Sequence, residues 1–94
     1  MQLARVVSFD GVSEERINQQ VELMKERGRP EELPATEIVV LHDAEAEEAQ
    51  VVIFFDSEED YRRGDEVLNA MAADETPGRR TGVAKCRVAI RMTG

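Results

Sequence analysis

The chain has no tryptophan, and it has a single histidine, a single cysteine and a single tyrosine. Each scarcity closes off some chemistry. Cys86 has no second cysteine to pair with inside the chain, and in an apolar strand such a thiol is read as a small packed hydrophobe. One histidine and one cysteine in different segments, without paired spacing, make no zinc-type ligand set, so no metal is expected. No phosphate-cradling glycine loop, nucleophile elbow or metal-binding helix pair occurs, so neither haem, flavin nor any other cofactor is expected. Long hydrophobic runs are missing as well. Ile38 to Leu41 and Val51 to Phe55 fall far short of the roughly 18 apolar residues that would span a bilayer, and Arg5 and Asp10 interrupt any secretory-signal pattern. A cytoplasmic protein without membrane contact is the resulting expectation.

Negative charge, by contrast, is abundant. Twenty Asp or Glu against twelve Lys or Arg leave a net charge of −8, which repels nucleic acid and anionic surfaces. No nucleic-acid partner is expected. The charge is uneven: from Arg79 onward there are five bases (Arg79, Arg80, Lys85, Arg87, Arg91) and no acid, so the preceding residues carry a net −13. The carboxyl-terminal segment should therefore contact acidic parts of its own fold or of a twin subunit. Ninety-four residues suffice for one domain, 1–94, with one modest core, because a chain this short buries only about 60–65% of its unfolded surface.

Hydrophobic periodicity divides the chain into six elements. Leu3 to Phe9 alternates as a strand, with Leu3, Arg5, Val7 and Phe9 on one side. Asp10-Gly11 turns the chain, Ser13 caps a helix that carries Ile17, Val21 and Met24 at helical spacing, and Gly28 ends it near Arg27. Thr36 to His42 and Gln50 to Asp56 are strands that are apolar on both faces, joined as a hairpin by the acidic Asp43–Glu48 stretch. Ser57-Glu58-Glu59-Asp60 opens a second helix with an inner stripe of Tyr61, Gly64, Leu68 and Met71. Asp74 to Gly82 should be an exposed loop. Val83 to Met92 should be the last strand, with Ala84, Cys86, Val88, Ile90 and Met92 on one face and Lys85, Arg87 and Arg91 on the other.

This order is the ferredoxin-like βαββαβ pattern of an α+β protein: a four-stranded antiparallel sheet with two helices on one face. Two strands that are apolar on both faces need cover on the side without helices. A second copy of the sheet is the simplest cover, so a homodimer is expected.

The stretch Val51-Val52-Ile53-Phe54-Phe55-Asp56-Ser57-Glu58-Glu59-Asp60-Tyr61-Arg62-Arg63-Gly64, an apolar strand running straight into an acid-capped helix, resembles the dimeric α+β barrel superfamily and within it the antibiotic-biosynthesis-monooxygenase-like group. The likeness extends over nearly the whole chain, from Leu3 to Met92. It implies a dimeric α+β barrel, and a cofactor-independent monooxygenase-like activity or a non-catalytic ligand-binding role, since that superfamily hosts both. The tryptophan and asparagine that such monooxygenases commonly use beside the pocket have here no tryptophan counterpart.

Few residues can carry chemistry. His42, at a strand end, is a candidate general base or proton shuttle, with hydrogen bonding to a neighbour such as Asp43 as the structural alternative. Tyr61 can aim its hydroxyl into a cavity between helix and sheet, or serve as core with a polar tip. Gly64, costing about 1 kcal/mol against alanine inside a helix, leaves room either for a ligand or for close packing. A pocket bounded by Tyr61, Gly64 and Leu68 with His42 at its rim would suit a small hydrophobic or aromatic molecule. Arg5, Arg87 and Arg91, with Lys85, form either an anion-binding group or a charged edge that pairs with acids. Two functions thus stand side by side: a small-molecule enzyme or binding protein with His42 and Tyr61 as its catalytic pair, and a non-catalytic dimeric domain that binds a ligand or a protein. A filled interior between helices and sheet would favour the second.

Overall fold

The computed structural model describes residues 2–70 and 76–94. Its elements are β1 (Leu3–Asp10), α1 (Glu14–Arg27), β2 (Glu37–Asp43), β3 (Glu48–Phe55), α2 (Glu58–Asn69) and β4 (Arg79–Arg87). The strands form one antiparallel sheet in the order β2-β3-β1-β4, the ferredoxin-like α+β arrangement. Met71, expected on the inner stripe of the second helix, lies outside the described residues, as does the start of the expected loop at Asp74.

The helices begin and end where local chemistry directs. Ser13 Oγ accepts from the Arg16 amide at 3.2 Å and Ser57 Oγ from the Asp60 amide at 3.1 Å, each satisfying a first-turn N–H that lacks an intrahelical partner. Acids occupy both first turns, where the helix dipole favours them. Gly28 closes α1 at φ 69°, a left-handed φ that suits glycine, and its N–H reaches the Met24 carbonyl at 2.9 Å.

Register fixes the two faces of the sheet. Arg5 lies opposite Ile53 and Lys85, and Ile53 opposite Ile38, so Leu3, Arg5, Val7 and Phe9 share one face with Ile53, Phe55 and His42. That face carries both helices. Its core falls into two groups: Leu3, Leu33, Ala35, Ile53, Phe55 and Tyr61 toward α2, and Val7, Phe9, Val12, Ile17 and Ala49 toward α1. The opposite face bears Ala4, Val6, Val39, Leu41, Val52, Phe54, Ala84 and Cys86, and neither of the described helices lies over it.

The last strand departs from its expected bounds at both ends. It begins at Arg79 instead of Val83, because β1 runs on to Asp10 and offers a partner there. Phe9 pairs with Arg80 and Asp10 with Arg79, and a register shift between Ser8 and Phe9 absorbs the extra residue, Thr81. The side chains reinforce the pairing: Arg79 Nε stands 3.0 Å from Asp10 Oδ1. At the far end the strand stops at Arg87, since β1 starts at Leu3, and among the described residues the pairing ends with the Val88 N–H bond to the Gln2 carbonyl at 3.0 Å. Ile90 and Met92 are therefore not strand residues, and they stand 75% and 85% exposed. Among the described residues no helix is long and apolar enough to cross a membrane.

Candidate functional site

An arginine on the inward side of a strand must find counter-charges or destabilise the fold. Arg5 is 3% exposed, and α2 supplies its partners. Its Nε donates to Asp65 Oδ1 at 2.9 Å and its NH2 to Asn69 Oδ1 at 3.1 Å; Asn69 Nδ2 in turn donates to Asp65 Oδ2 at 3.3 Å. Arg80 NH1 also donates to Asn69 Oδ1, at 3.1 Å, tying β4 into the same network. Sequence reasoning missed Asp65 and Asn69 as a pair. Their signal was present in the one-turn spacing beside Tyr61 and in the charged residue at an inward strand position.

Tyr61 sits next to this network. Its ring meets the Phe55 ring edge-on at 5.5 Å between centroids, and the Lys85 ammonium lies 5.1 Å from the Tyr61 centroid while also pairing with Glu58. Burial pushes the Tyr61 hydroxyl pKa up, and the nearby Asp65 carboxylate adds to the shift. Tyr61 is thus held neutral. Glu58, in the first turn of α2, reaches across to the sheet to pair with Lys85.

Gly64 faces Phe55. A Cβ built on Gly64 would run into Cε1 and Cζ of the Phe55 ring and would come within 3.4 Å of Leu33 Cδ1. The space that the glycine frees beside the sheet holds a fully buried phenyl ring. Leu68 packs at the margin of the same cluster, half-buried.

His42 belongs to the opposite end of the sheet. It pairs in register with Ala49, whereas Tyr61 contacts Phe55, and the Ala49 to Phe55 stretch spans roughly 20 Å at about 3.3 Å per residue. His42 and Tyr61 do not share a site. The His42 ring donates from Nε2 to the Val12 carbonyl at 2.9 Å, and the neighbouring Asp43 is otherwise engaged, its Oδ1 accepting the Glu45 and Ala46 amides at 3.1 Å each.

The basic residues divide likewise. Arg87 opposes Leu3 on the helix-bearing face, one register step beyond Arg5 and Lys85, and is exposed. Arg91 lies past the end of β4 on the other side of the sheet: its guanidinium stacks 4.5 Å from the Phe54 centroid and its NH2 stands 3.3 Å from Glu37 Oε1. Arg5 and Arg91 therefore have the sheet between them.

Apart from Arg91 over Phe54, the open sheet face is an apolar surface that none of the described helices covers. Val6, Val39, Val52 and Phe54 are half-buried across three adjacent strands, Leu41 is 50% exposed, and Ala84 and Cys86 continue the surface onto β4. At one end this apolar field gives way to a cleft of about 570 Å³ lined by Ser8, Asp10, Leu41, Asp43, Glu48 and Gln50, with Thr81 and His42 at its margins. Among the described residues no group of three or more His, Cys, Asp or Glu is arranged to hold a metal ion.

No protein-family model, no curated protein and no solved structure matches this chain.

Proposed function

We propose that the chain is a non-catalytic domain that pairs with a copy of itself through its open sheet face, closing an α+β barrel of the kind its resemblance implies. The observation that supports this reading is the apolar surface of Val6, Val39, Leu41, Val52 and Phe54, which neither of the described helices covers. Apolar surface left in water forgoes about 25 cal/mol per Å², and a second sheet of the same shape recovers that energy on both copies at once. A sheet is buried on both faces only when something packs on each.

Packing at Gly64 supports the interaction reading over an enzymatic pocket between α2 and the sheet. Such a pocket would need the glycine's space to be open, and Phe55 takes it. The separation of His42 from Tyr61 weighs the same way, because acid–base work on one bound molecule needs both groups within hydrogen-bond reach of it. The test is substitution at the centre of the open face. Val52→Glu should give a folded monomer, with far-ultraviolet circular dichroism unchanged and elution on size exclusion shifted to the single-chain position. Wild-type elution by this variant would remove the open face from the interface.

A further inference from the structure

The open face is built unevenly across its strands. On β2 and β3 its apolar residues are Val39, Leu41, Val52 and Phe54. In the same rows β1 and β4 place Ala4, Ser8, Gly82 and Ala84, and only Val6 reaches valine size. One half of the face is therefore raised and the other is hollow. Leu41, Gln50, Ser8 and Gly82 form a single row across the four strands, with the 50%-exposed leucine at one end and the glycine at the other.

Neither its backbone nor its surroundings require glycine at position 82. Its φ is not positive, the register shift makes Thr81 and not Gly82 the extra residue, and among the described residues nothing stands within 4 Å of a Cβ built there. A glycine inside a strand weakens it, and where neither a bulge nor a tight bend calls for one it marks the close approach of another group.

Two sheets stacked face to face stand about 10 Å apart, and their side chains interdigitate when large ones meet small ones. A two-fold axis across the strands would lay each strand on its own copy, so that Leu41 and Val39 press on the partner's β2 while Gly82 and Ala84 face the partner's β4 over a gap. An axis along the strands, midway between β3 and β1, instead lays β2 over the partner's β4 and keeps each row on itself. Leu41 then stands over the partner's Gly82, and Val39 over the partner's Ala84. These middle rows lie clear of the Arg91 guanidinium, which covers Phe54 at one end of the face.

Resting on the dimer reading, we propose that the two copies meet with the raised β2–β3 half of each over the hollow β1–β4 half of the other, and that Gly82 is the socket for the partner's Leu41. The glycine serves the assembly and not the single chain.

An exchange of side-chain size tests this. Gly82→Leu, whose Cβ meets nothing in its own chain, should leave far-ultraviolet circular dichroism unchanged and raise the dimer dissociation constant about tenfold or more, because the added side chain collides with the partner's Leu41. Adding Leu41→Ala moves the bulk to the other end of the row, and the double variant should dimerise more tightly than Gly82→Leu alone. A double variant no tighter than Gly82→Leu, or a Gly82→Leu protein that dimerises like the wild type, would overturn the proposal while leaving the dimer intact. Cross-linking gives a second readout that does not depend on how the new leucine packs. In a Cys86→Ser background, Leu41→Cys and Gly82→Cys proteins are mixed, left to exchange subunits and treated with a bis-maleimide about 10 Å long, matched to the spacing of facing sheets. Linkage between the two different proteins is the expected product, whereas linkage of Leu41→Cys only to itself, or no linkage in a dimeric protein, would overturn the placement. A wild-type monomer by light scattering would instead remove the dimer reading and the proposal with it.

Discussion

The Phe55 ring occupies the volume that Gly64 leaves beside the sheet, so closely that even one added carbon at Gly64 would collide with two ring atoms. Helix propensity alone favours alanine over glycine at an interior helical position by about 1 kcal/mol. Overpacking opposes it, at about 1–3 kcal/mol, because a fully buried ring has nowhere to retreat. Gly64→Ala should therefore lower stability, measured as the urea midpoint at unchanged slope, and a more stable variant would mean that the space beside Gly64 is open.

Asp65→Ala should cost about 1–3 kcal/mol of unfolding free energy, although Asp65 itself is 38% exposed, because it strands the nearly buried Arg5 guanidinium with one fewer acceptor. Asp65→Asn should recover part of the loss by keeping an acceptor for Arg5 Nε. Equal destabilisation in both variants would show that charge, not hydrogen bonding, holds the network.

The hydrogen bonds from Arg79 hold the Asp10 carboxyl below its ordinary pKa. Lowered in the folded state, this group contributes stability that is present above the unfolded aspartate pKa of about 3.9 and is lost as pH falls through the folded value. Carbon-detected NMR titration should find Asp10 titrating below an ordinary aspartate, and Arg79→Ala should return it upward. An unchanged Asp10 titration in that variant would assign the shift to another cause.

Cys86 is exposed on the open face of the single chain, so dimerisation through that face should cover it. Its reaction with a thiol reagent should be slow at high protein concentration and accelerate on dilution. A rate independent of concentration would place the thiol outside the interface.

The order of elements, the caps at Ser13 and Ser57 and the placing of Leu3, Arg5, Val7 and Phe9 on one side of β1 were legible in the sequence, because each follows from local periodicity or from a hydrogen bond within one turn; that this side is the buried one was not. The ends of β4 were not. A strand's length is set by the neighbour it pairs with, and nothing in Val83 to Met92 tells that β1 stops at Leu3 or that Asp10 draws Arg79 into the sheet. The candidate residues were legible as types but not as a constellation. The sequence put His42 at a strand end and at the rim of a pocket with Tyr61, yet only the β2–β3 register shows that it stands near Ala49, at the other end of the sheet from Tyr61. Arg91, read as a neighbour of Arg5 on a continuing strand, crosses to the open face because the strand ends four residues before it.

Sedimentation equilibrium of the wild-type protein at micromolar concentration tests the central claim most directly. The apolar open face predicts a species of twice the 10.6 kDa chain mass, whereas a stable species of single-chain mass, with the sheet folded and its open face in water, would contradict it.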